Sequence, residues 1–253
     1  METIYFNRAV NSKKPSTIRN AKTSCPFCDT SQLAAVVDRQ DDMILVQNKF
    51  STLKDANMMV LIESDVCDSN IHTYTIDKLT ALLKFAIEKW ISFEQTGEYK
   101  SVALFKNKGL HSSGTIKHPH MQIIGFKDQD CHKQIQLENL EGHSINIGDD
   151  IEFNLSTLPK ISFLEYNVEV TTDYSKLAKT VSLITKYIED TYWGPEASYN
   201  FFFYNIECKR YLKIIPRYPT SAIHIGYGLV QIYDEQLLND YECSIHDFYN
   251  KLS

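Results

Sequence analysis

Two segments hold residues whose types and spacing can do chemistry. The first is Ser24-Cys25-Pro26-Phe27-Cys28. Two thiolates at the Cys-x-x-Cys spacing can grip one tetrahedral metal ion, zinc above all, if two further ligands come from elsewhere. Cys67, His72 and His118 are the candidates for those places. A redox pair is the alternative, but a thioredoxin-type motif sits between a strand and a helix, and here the segment follows a basic, irregular arm. The second segment is His118-Pro119-His120-Met121-Gln122. As the opening of a strand it points His118, His120 and Gln122 to one face, and a proline at a strand start removes no interior ladder bond. Three polar groups on one face of an apolar strand need partners, because burying them unpaired is costly. Neutral imidazole is a nucleophile toward phosphorus. It can displace a phosphoryl leaving group and carry a nucleotidyl group covalently, splitting one hard transfer into two easier ones. Its other nitrogen must be oriented, commonly by a backbone carbonyl, and the Gln122 amide can donate to a phosphoryl oxygen.

The elements that must position these residues follow from apolar patterning. Met43–Gln47 and residues 58–63 are short apolar runs bounded by polar residues and read as strands. Thr75 opens a helix with Leu79, Leu82, Leu83, Ala86, Ile87, Trp90 and Phe93 at three- and four-residue steps, and Gly97 ends it. Residues 101–105 and 121–126 are the next strands, joined by a loop with Gly109 and Gly114, and residues 127–150 read as a polar connection. The order then recurs. Residues 162–171 form a strand, and Asp173 caps a helix whose apolar face is Leu177, Val181, Ile184 and Ile188. Gly194-Pro195 stops it, and residues 199–204 and 211–215 are two more strands. Phe105-Lys106-Asn107 is echoed by Phe203-Tyr204-Asn205, and the 118–124 segment by 209–215, with Tyr211 and Lys213 where the first copy has His120 and Gln122. The expected fold is α+β, two β-α-β-β halves with mainly antiparallel sheets, residues 1–150 and 151–253.

Composition bounds the function. The chain has 253 residues, 43% of them hydrophobic and 12% aromatic, enough to bury a sizeable core. Its nine glycines form neither G-x-x-x-x-G-K-[ST] nor G-x-G-x-x-G, so the two commonest phosphate loops are missing and a phosphate site must use side chains or another loop. A net charge of −6 argues against broad binding to nucleic acid or anionic membranes. No apolar run reaches bilayer length, and the N-terminus carries no apolar leader segment, so the expected compartment is the cytoplasm. In a reducing compartment a Cys-x-x-Cys pair reads as a metal or redox site before a disulfide. Residues 1–24 carry Arg8, Lys13, Lys14, Arg19 and Lys22 against Glu2, either a solvated arm or one that folds over a phosphate-bearing ligand. His132, His143 and His246 lie in polar stretches and are expected at the surface. Cys131, Cys208 and Cys243 have no motif spacing. Arg210, Lys213 and Arg217 face either a ligand phosphate or solvent.

Phe105-Lys106-Asn107-Lys108-Gly109, Gly114-Thr115 and His118-Pro119-His120-Met121-Gln122 together resemble the active-site stretch of galactose-1-phosphate uridylyltransferases, members of the histidine-triad superfamily. Cys25-x-x-Cys28 resembles that family's zinc knuckle. Asn48-Lys49-Phe50 resembles its nucleotide-binding Asn-Asp-Phe, and residues 63–67 its Glu-Ser/Thr-Pro-x-His stretch, with Cys67 in place of histidine. The resemblance implies two histidine-triad-like halves, of which the second is degenerate. It also implies a nucleotidyltransferase or phosphorylase acting on a nucleotide-sugar or dinucleotide. By that likeness His120 carries the nucleotidyl group and Gln122 bonds the phosphoryl oxygens. Asn48, Phe50, Asn107, Gly114 and Thr115 bind nucleotide and phosphate. Cys25, Cys28, Cys67 and His118 hold a structural Zn2+, with His72 the alternative to Cys67. The family often forms homodimers. Two departures stand out: the second-half His-x-His pair of the family is replaced by Tyr211 and Lys213, and its hexose-binding stretch, which usually contains a glutamate, has as its closest counterpart Ala222-Ile223-His224-Ile225-Gly226, which has none. The chain is also shorter, similar to a compact bacterial relative. A non-catalytic nucleotide-binding protein on the same fold and a nucleotide hydrolase are the alternative readings.

Overall fold

The computed structural model describes residues 2–18, 22, 24–33, 35–191 and 197–252. An N-terminal arm with a short helix, α1 (Arg8–Asn11), precedes strands β1 (Val36–Gln40), β2 (Met43–Gln47) and β3 (Ala56–Ile62). Helix α2 (Ile76–Gln95), β4 (Ser101–Lys108) and β5 (His120–Phe126) complete the first β-α-β-β unit. After β6 (Gly142–Ile147) and β7 (Ile151–Ser156), the same order returns as β8 (Tyr166–Glu169), α3 (Tyr174–Thr191), β9 (Tyr199–Ile206) and β10 (Lys209–Pro216). Helices α4 (Ala222–Tyr227) and α5 (Glu235–Leu252) end the chain.

All ten strands join one antiparallel sheet in the order β1-β2-β3-β5-β4-β9-β10-β8-β7-β6. The order reads alike from both edges toward the seam between β4 and β9, as a quasi-twofold repeat requires. The main core lies on one face. There Leu45, Leu61, Met121, Leu104, Phe203 and Leu212 meet the apolar stripes of α2 and α3. Thr75 Oγ1 caps α2 by accepting from Lys78 N at 3.2 Å, and Asp173 Oδ1 caps α3 by accepting from Lys176 N at 2.9 Å. The Gly194-Pro195 stop falls outside the described residues.

Several elements differ from expectation for definable reasons. The strand expected over 162–171 is only β8, because the buried Glu165 carboxylate accepts from the amides of Lys160, Ile161 and Ser162 and curls the preceding chain around itself. Residues 127–150 hold a 3-10 turn, Leu137–Asn139, and β6, whose two buried isoleucines, Ile145 and Ile147, are too short an alternation to stand out in polar sequence. The repeat echo is one residue out. Gln122 pairs with Phe105 and Lys213 with Phe202, so Phe202 rather than Phe203 takes the place of Phe105. His132 is half-buried rather than exposed: its ring sits between Trp90 and Tyr204, with centroids 6.4 and 6.2 Å away, and burial lowers its pKa. His143 instead pairs with Glu242 at 2.6 Å.

On the helix-covered face the Lys106 ammonium lies 2.6 Å from Glu63 Oε1, both side chains at or below 1% exposed, and the Tyr74 hydroxyl donates to Glu63 Oε2 at 3.3 Å. This pair ties β4 to the end of β3. Removing one partner strands a buried charge, so Lys106→Met should lower unfolding free energy by about 3–5 kcal/mol in urea titrations. Replacing Lys106 and Glu63 together by apolar residues should recover much of that loss.

Candidate functional site

The site lies on the sheet face opposite the main core. Here Ile44, Val46, Val60 and Ile62 form a small cluster under Phe27 and Leu33. The Cys25–Cys28 turn therefore rests on β2 and β3, next to β5. Glu63 N donates to the Pro119 carbonyl at 3.1 Å, which prolongs the β3–β5 pairing and carries the chain past His118 before it turns to Cys67. As a result Cys25, Cys28, Cys67 and His118 offer ligand atoms all within 4.8 Å of one another. Among the described residues this is the one grouping of metal-ligand type. His118 Nδ1 stands 3.5 Å from Cys25 Sγ and 3.6 Å from Cys28 Sγ. Its Nε2 lies 2.8 Å from the Ser64 carbonyl, which can only accept. Nε2 thus carries the proton and Nδ1 presents its lone pair to the thiols, the second-sphere arrangement that orients a ligating histidine. Burial and the neighbouring Cys28 and Cys25 thiols push the Cys67 thiol up to about 12. A bound cation would reverse that, since a coordinating thiol is deprotonated. The four residues can hold a metal ion.

The geometry separates the two candidates for the third metal position. His72 lies in the turn Ile71–Thr73 with Nδ1 3.3 Å from Glu189 Oε1, outside the grouping, and Cys67 is inside it.

His120 is 8% exposed at the wall of a pocket of about 360 Å3. Its Nδ1 lies 2.8 Å from the His118 carbonyl and must donate to it, which leaves the lone pair on Nε2. Burial is the main cause that drives the His120 pKa down to about 4, with the Lys106 and His118 charges adding to it against the His118 carbonyl. The imidazole is therefore neutral at physiological pH. The Phe27 ring meets His120 edge-on at 5.3 Å and His118 at 5.9 Å, so one residue of the cysteine turn packs against both histidines.

Every other expected site residue reaches the same pocket. Gln122 comes from β5 and Asn107 from β4, Gly114 and Thr115 from the loop between those strands, and Asn48 and Phe50 from the turn after β2. Asn48 Oδ1 accepts from Phe50 N at 2.8 Å and shapes that turn. The N-terminal arm adds Asn11, Lys14 and Pro15 to the lining. It is tied down by the Phe6–Leu53 bridge at one end and at the other by Ile18 N donating to the Thr115 carbonyl at 3.2 Å. Lys14 is half-buried, and burial lowers its pKa. Arg8, Lys13, Lys14, Arg19 and Lys22 signalled a basic arm, but only the long-range bonds show it crossing the pocket. Arg210, Lys213 and Arg217 do not line it: Arg210 lies over the Trp90 ring, Lys213 is buried against Glu165 at 2.6 Å, and Arg217 donates to Asn200. In the second half Ile135 and Leu140 pack against Tyr211, the residue in the place of His120.

Comparison with known proteins places this geometry. The description "Domain of unknown function (DUF4931) N-terminal domain" matches residues 6–129, and its C-terminal counterpart matches residues 132–249. No curated protein matches the chain. Among solved structures, a DUF4931 family protein from Bacillus cereus ATCC 10987 is 32% identical, with TM-score 0.75 over 85% of this chain and 99% of that one. A uridylyltransferase structure is 14% identical, with TM-score 0.68 over 88% and 92%. An ADP-glucose phosphorylase from Arabidopsis thaliana with bound ADP-glucose is 13% identical, with TM-score 0.65 over 90% and 92%. The last two likenesses establish a shared fold, and the sequence resemblance to the uridylyltransferase-like branch of the histidine-triad superfamily holds at that level.

Metal analysis checks the ligand assignment. The purified protein should carry about one metal ion per chain. Cys67→Ser should lose most of it and His72→Ala should keep it; the reverse pattern would overturn the assignment.

Proposed function

From the premise that the chain belongs to the DUF4931 family and folds like uridylyltransferase, we propose that it transfers a nucleoside monophosphate through His120 between phosphate-bearing acceptors. The observation that carries this reading is the His120 imidazole, neutral, with Nδ1–H committed to the His118 carbonyl, at the wall of the pocket. In the first half-reaction Nε2 attacks the α-phosphorus of a nucleotide-sugar or dinucleotide. The N–P bond forms, the bond from phosphorus to the bridging oxygen breaks, and the leaving phosphate departs with the electron pair. Positive charge on the imidazole is eased by the Nδ1–H···O=C bond. In the second half-reaction an acceptor phosphate oxygen attacks the same phosphorus and breaks the N–P bond.

The remaining roles follow from position. Gln122, Asn107 and the Thr115 hydroxyl donate to phosphoryl oxygens as charge develops. Gly114 lets the loop pack closely at the pocket wall, since a Cβ there would crowd the Gly109 carbonyl, Ile18 and Ser112. Lys14, from the arm, supplies a cation in a partly dry setting, where its attraction for phosphate is stronger than in water. Asn48 and Phe50 hold the nucleoside. The ADP-glucose phosphorylase with its bound ADP-glucose shows that a protein of this fold takes a nucleotide-sugar, which supports that substrate class here.

The donor set fits zinc. Zn–S bonds of about 2.3 Å and Zn–N bonds of about 2.0 Å at tetrahedral angles put sulfur and nitrogen roughly 3.5 Å apart, and His118 Nδ1 stands 3.5 and 3.6 Å from two of the sulfurs. With four protein ligands, the ion when bound supplies a cross-link rather than an open Lewis-acid position. Cys25, Cys28 and Cys67 would hold the turn and the loop against β5, and His118 would hold the start of the strand that carries His120.

The test is covalent labelling. Incubated with radiolabelled UDP-glucose, ADP-glucose or diadenosine tetraphosphate, the protein should retain label through acid-labile linkage, and His120→Ala should reduce it to background. Label on the His120→Ala protein would refute the nucleophile. Tight binding with no label on the unaltered protein would make it a nucleotide-binding protein, and steady release of mononucleotide into water alone would make it a hydrolase.

A further inference from the structure

The second half has no expected site residue, yet it holds the first half's pocket loop. Asn200, on β9 and 1% exposed, pairs in the ladder with Asn107 across the seam. Its Nδ2 donates to Asn107 Oδ1 at 2.6 Å and to the Ser112 carbonyl at 3.0 Å. Its Oδ1 accepts from Arg217 Nη1 at 3.2 Å. Ser198 Oγ accepts from His111 N at 3.2 Å, and Lys108 Nζ donates to the Ala197 carbonyl at 2.6 Å. Gly109 approaches Ser198 so closely, at a φ of +84°, that a Cβ there would overlap the Ser198 side chain. The loop from Gly109 to Thr115 is thus seated on residues 197–200.

The donors and acceptors in this chain run one way. A guanidinium has five donors and no acceptor. Arg217 on one side and the acceptor-only Ser112 carbonyl on the other therefore fix the Asn200 amide, and Asn200 must present Nδ2 to Asn107. Asn107 in turn shows Oδ1 to Asn200 and keeps Nδ2 for the pocket it lines. A free asparagine amide could turn either end toward a ligand. A phosphate needs the donor.

We infer that Arg217 and Asn200 are positioning residues supplied by the second half, which set the Asn107 amide donor-outward and seat the 109–115 loop for a nucleotide phosphate. The ligand part of this inference rests on the proposed function; the seating of the loop does not. The second half thereby acquires a role. Its own place for His120 is covered, but its strand β9 moulds the other half's loop.

The experiment uses the full chain and the variants Asn200→Asp and Arg217→Met. The aspartate keeps the shape and the Arg217 contact but cannot donate, so Asn107 should turn its amide and offer an oxygen to the pocket. Two readouts are taken. Hydrogen exchange without ligand should speed up about tenfold over residues 109–115 in both variants, with the rest of the sheet unchanged. Calorimetry with UMP and AMP should show at least about tenfold weaker binding in both variants, and Asn200→Asp should cause no further loss in an Asn107→Ala background. Wild-type exchange rates over 109–115 in both variants would overturn the inference, as would unweakened nucleotide binding or an equal further loss in the Asn107→Ala background. If Asn200→Asp loosens the whole chain, Arg217→Met, at a half-buried position, decides on the same criteria. Should the unaltered protein bind neither UMP nor AMP while the loop still loosens, the nucleotide reading fails and the seating of the loop stands.

Discussion

One residue, His118, constrains the rest of the site through two of its groups. Its imidazole is held by the Ser64 carbonyl on one side and turns its lone pair to the thiols of Cys25 and Cys28 on the other. Its own carbonyl accepts the Nδ1 proton of His120. The first bond fixes the ring that can meet a metal. The second fixes the tautomer of His120. Because both belong to one strand start, the placement of the cysteine turn and the orientation of His120 depend on the same residue. Phe27 reinforces this by packing its ring on both histidines.

The sheet supplies the rigidity that such a site needs. A ten-stranded antiparallel sheet with one face under two long helices leaves its other face free for chemistry, and the site residues on β4 and β5 lie near its centre rather than at an edge. Two fully buried lysines, Lys106 and Lys213, lie on opposite faces of this sheet and each meets a buried carboxylate at 2.6 Å. Such pairs contribute little net stability but are severe when broken. They tie strands to the chain that leads into or out of them: Lys106 to the end of β3, Lys213 to the turn before β8.

The absence of a glycine-rich phosphate loop now has a structural counterpart. The residues facing the pocket are mainly side chains on strands and on turns that follow strands, closed by a basic arm. Burial keeps His120 neutral and lowers the pKa of Lys14, so the pocket joins an uncharged imidazole to a cation in a partly dry setting.

The sequence by itself determined the local grammar. The 3.6-residue stripes of α2 and α3, the capping Thr75 and Asp173, and the alternation of His118, His120 and Gln122 are short-range patterns, and the structure contains each of them. The Cys-x-x-Cys spacing pointed to a metal-ligand pair for the same reason: the two groups are neighbours in the chain. Everything that depended on pairing across long separations was settled only by the tertiary structure. That Cys67 and not His72 joins the grouping of Cys25, Cys28 and His118 turned on how the chain leaves β3 beside Pro119, and the one-residue register of the repeat on which face of β9 meets the helices. The path of the arm over the pocket and the seating of the 109–115 loop on Asn200 join residues far apart in the chain, as in the 2.7 Å bond from Lys117 N to Thr17 Oγ1, 100 positions apart, and the 3.0 Å bond from Asn200 to Ser112, 88 apart. Such contacts leave no period in the sequence, because their partners are chosen by the geometry of the sheet and not by spacing along the chain.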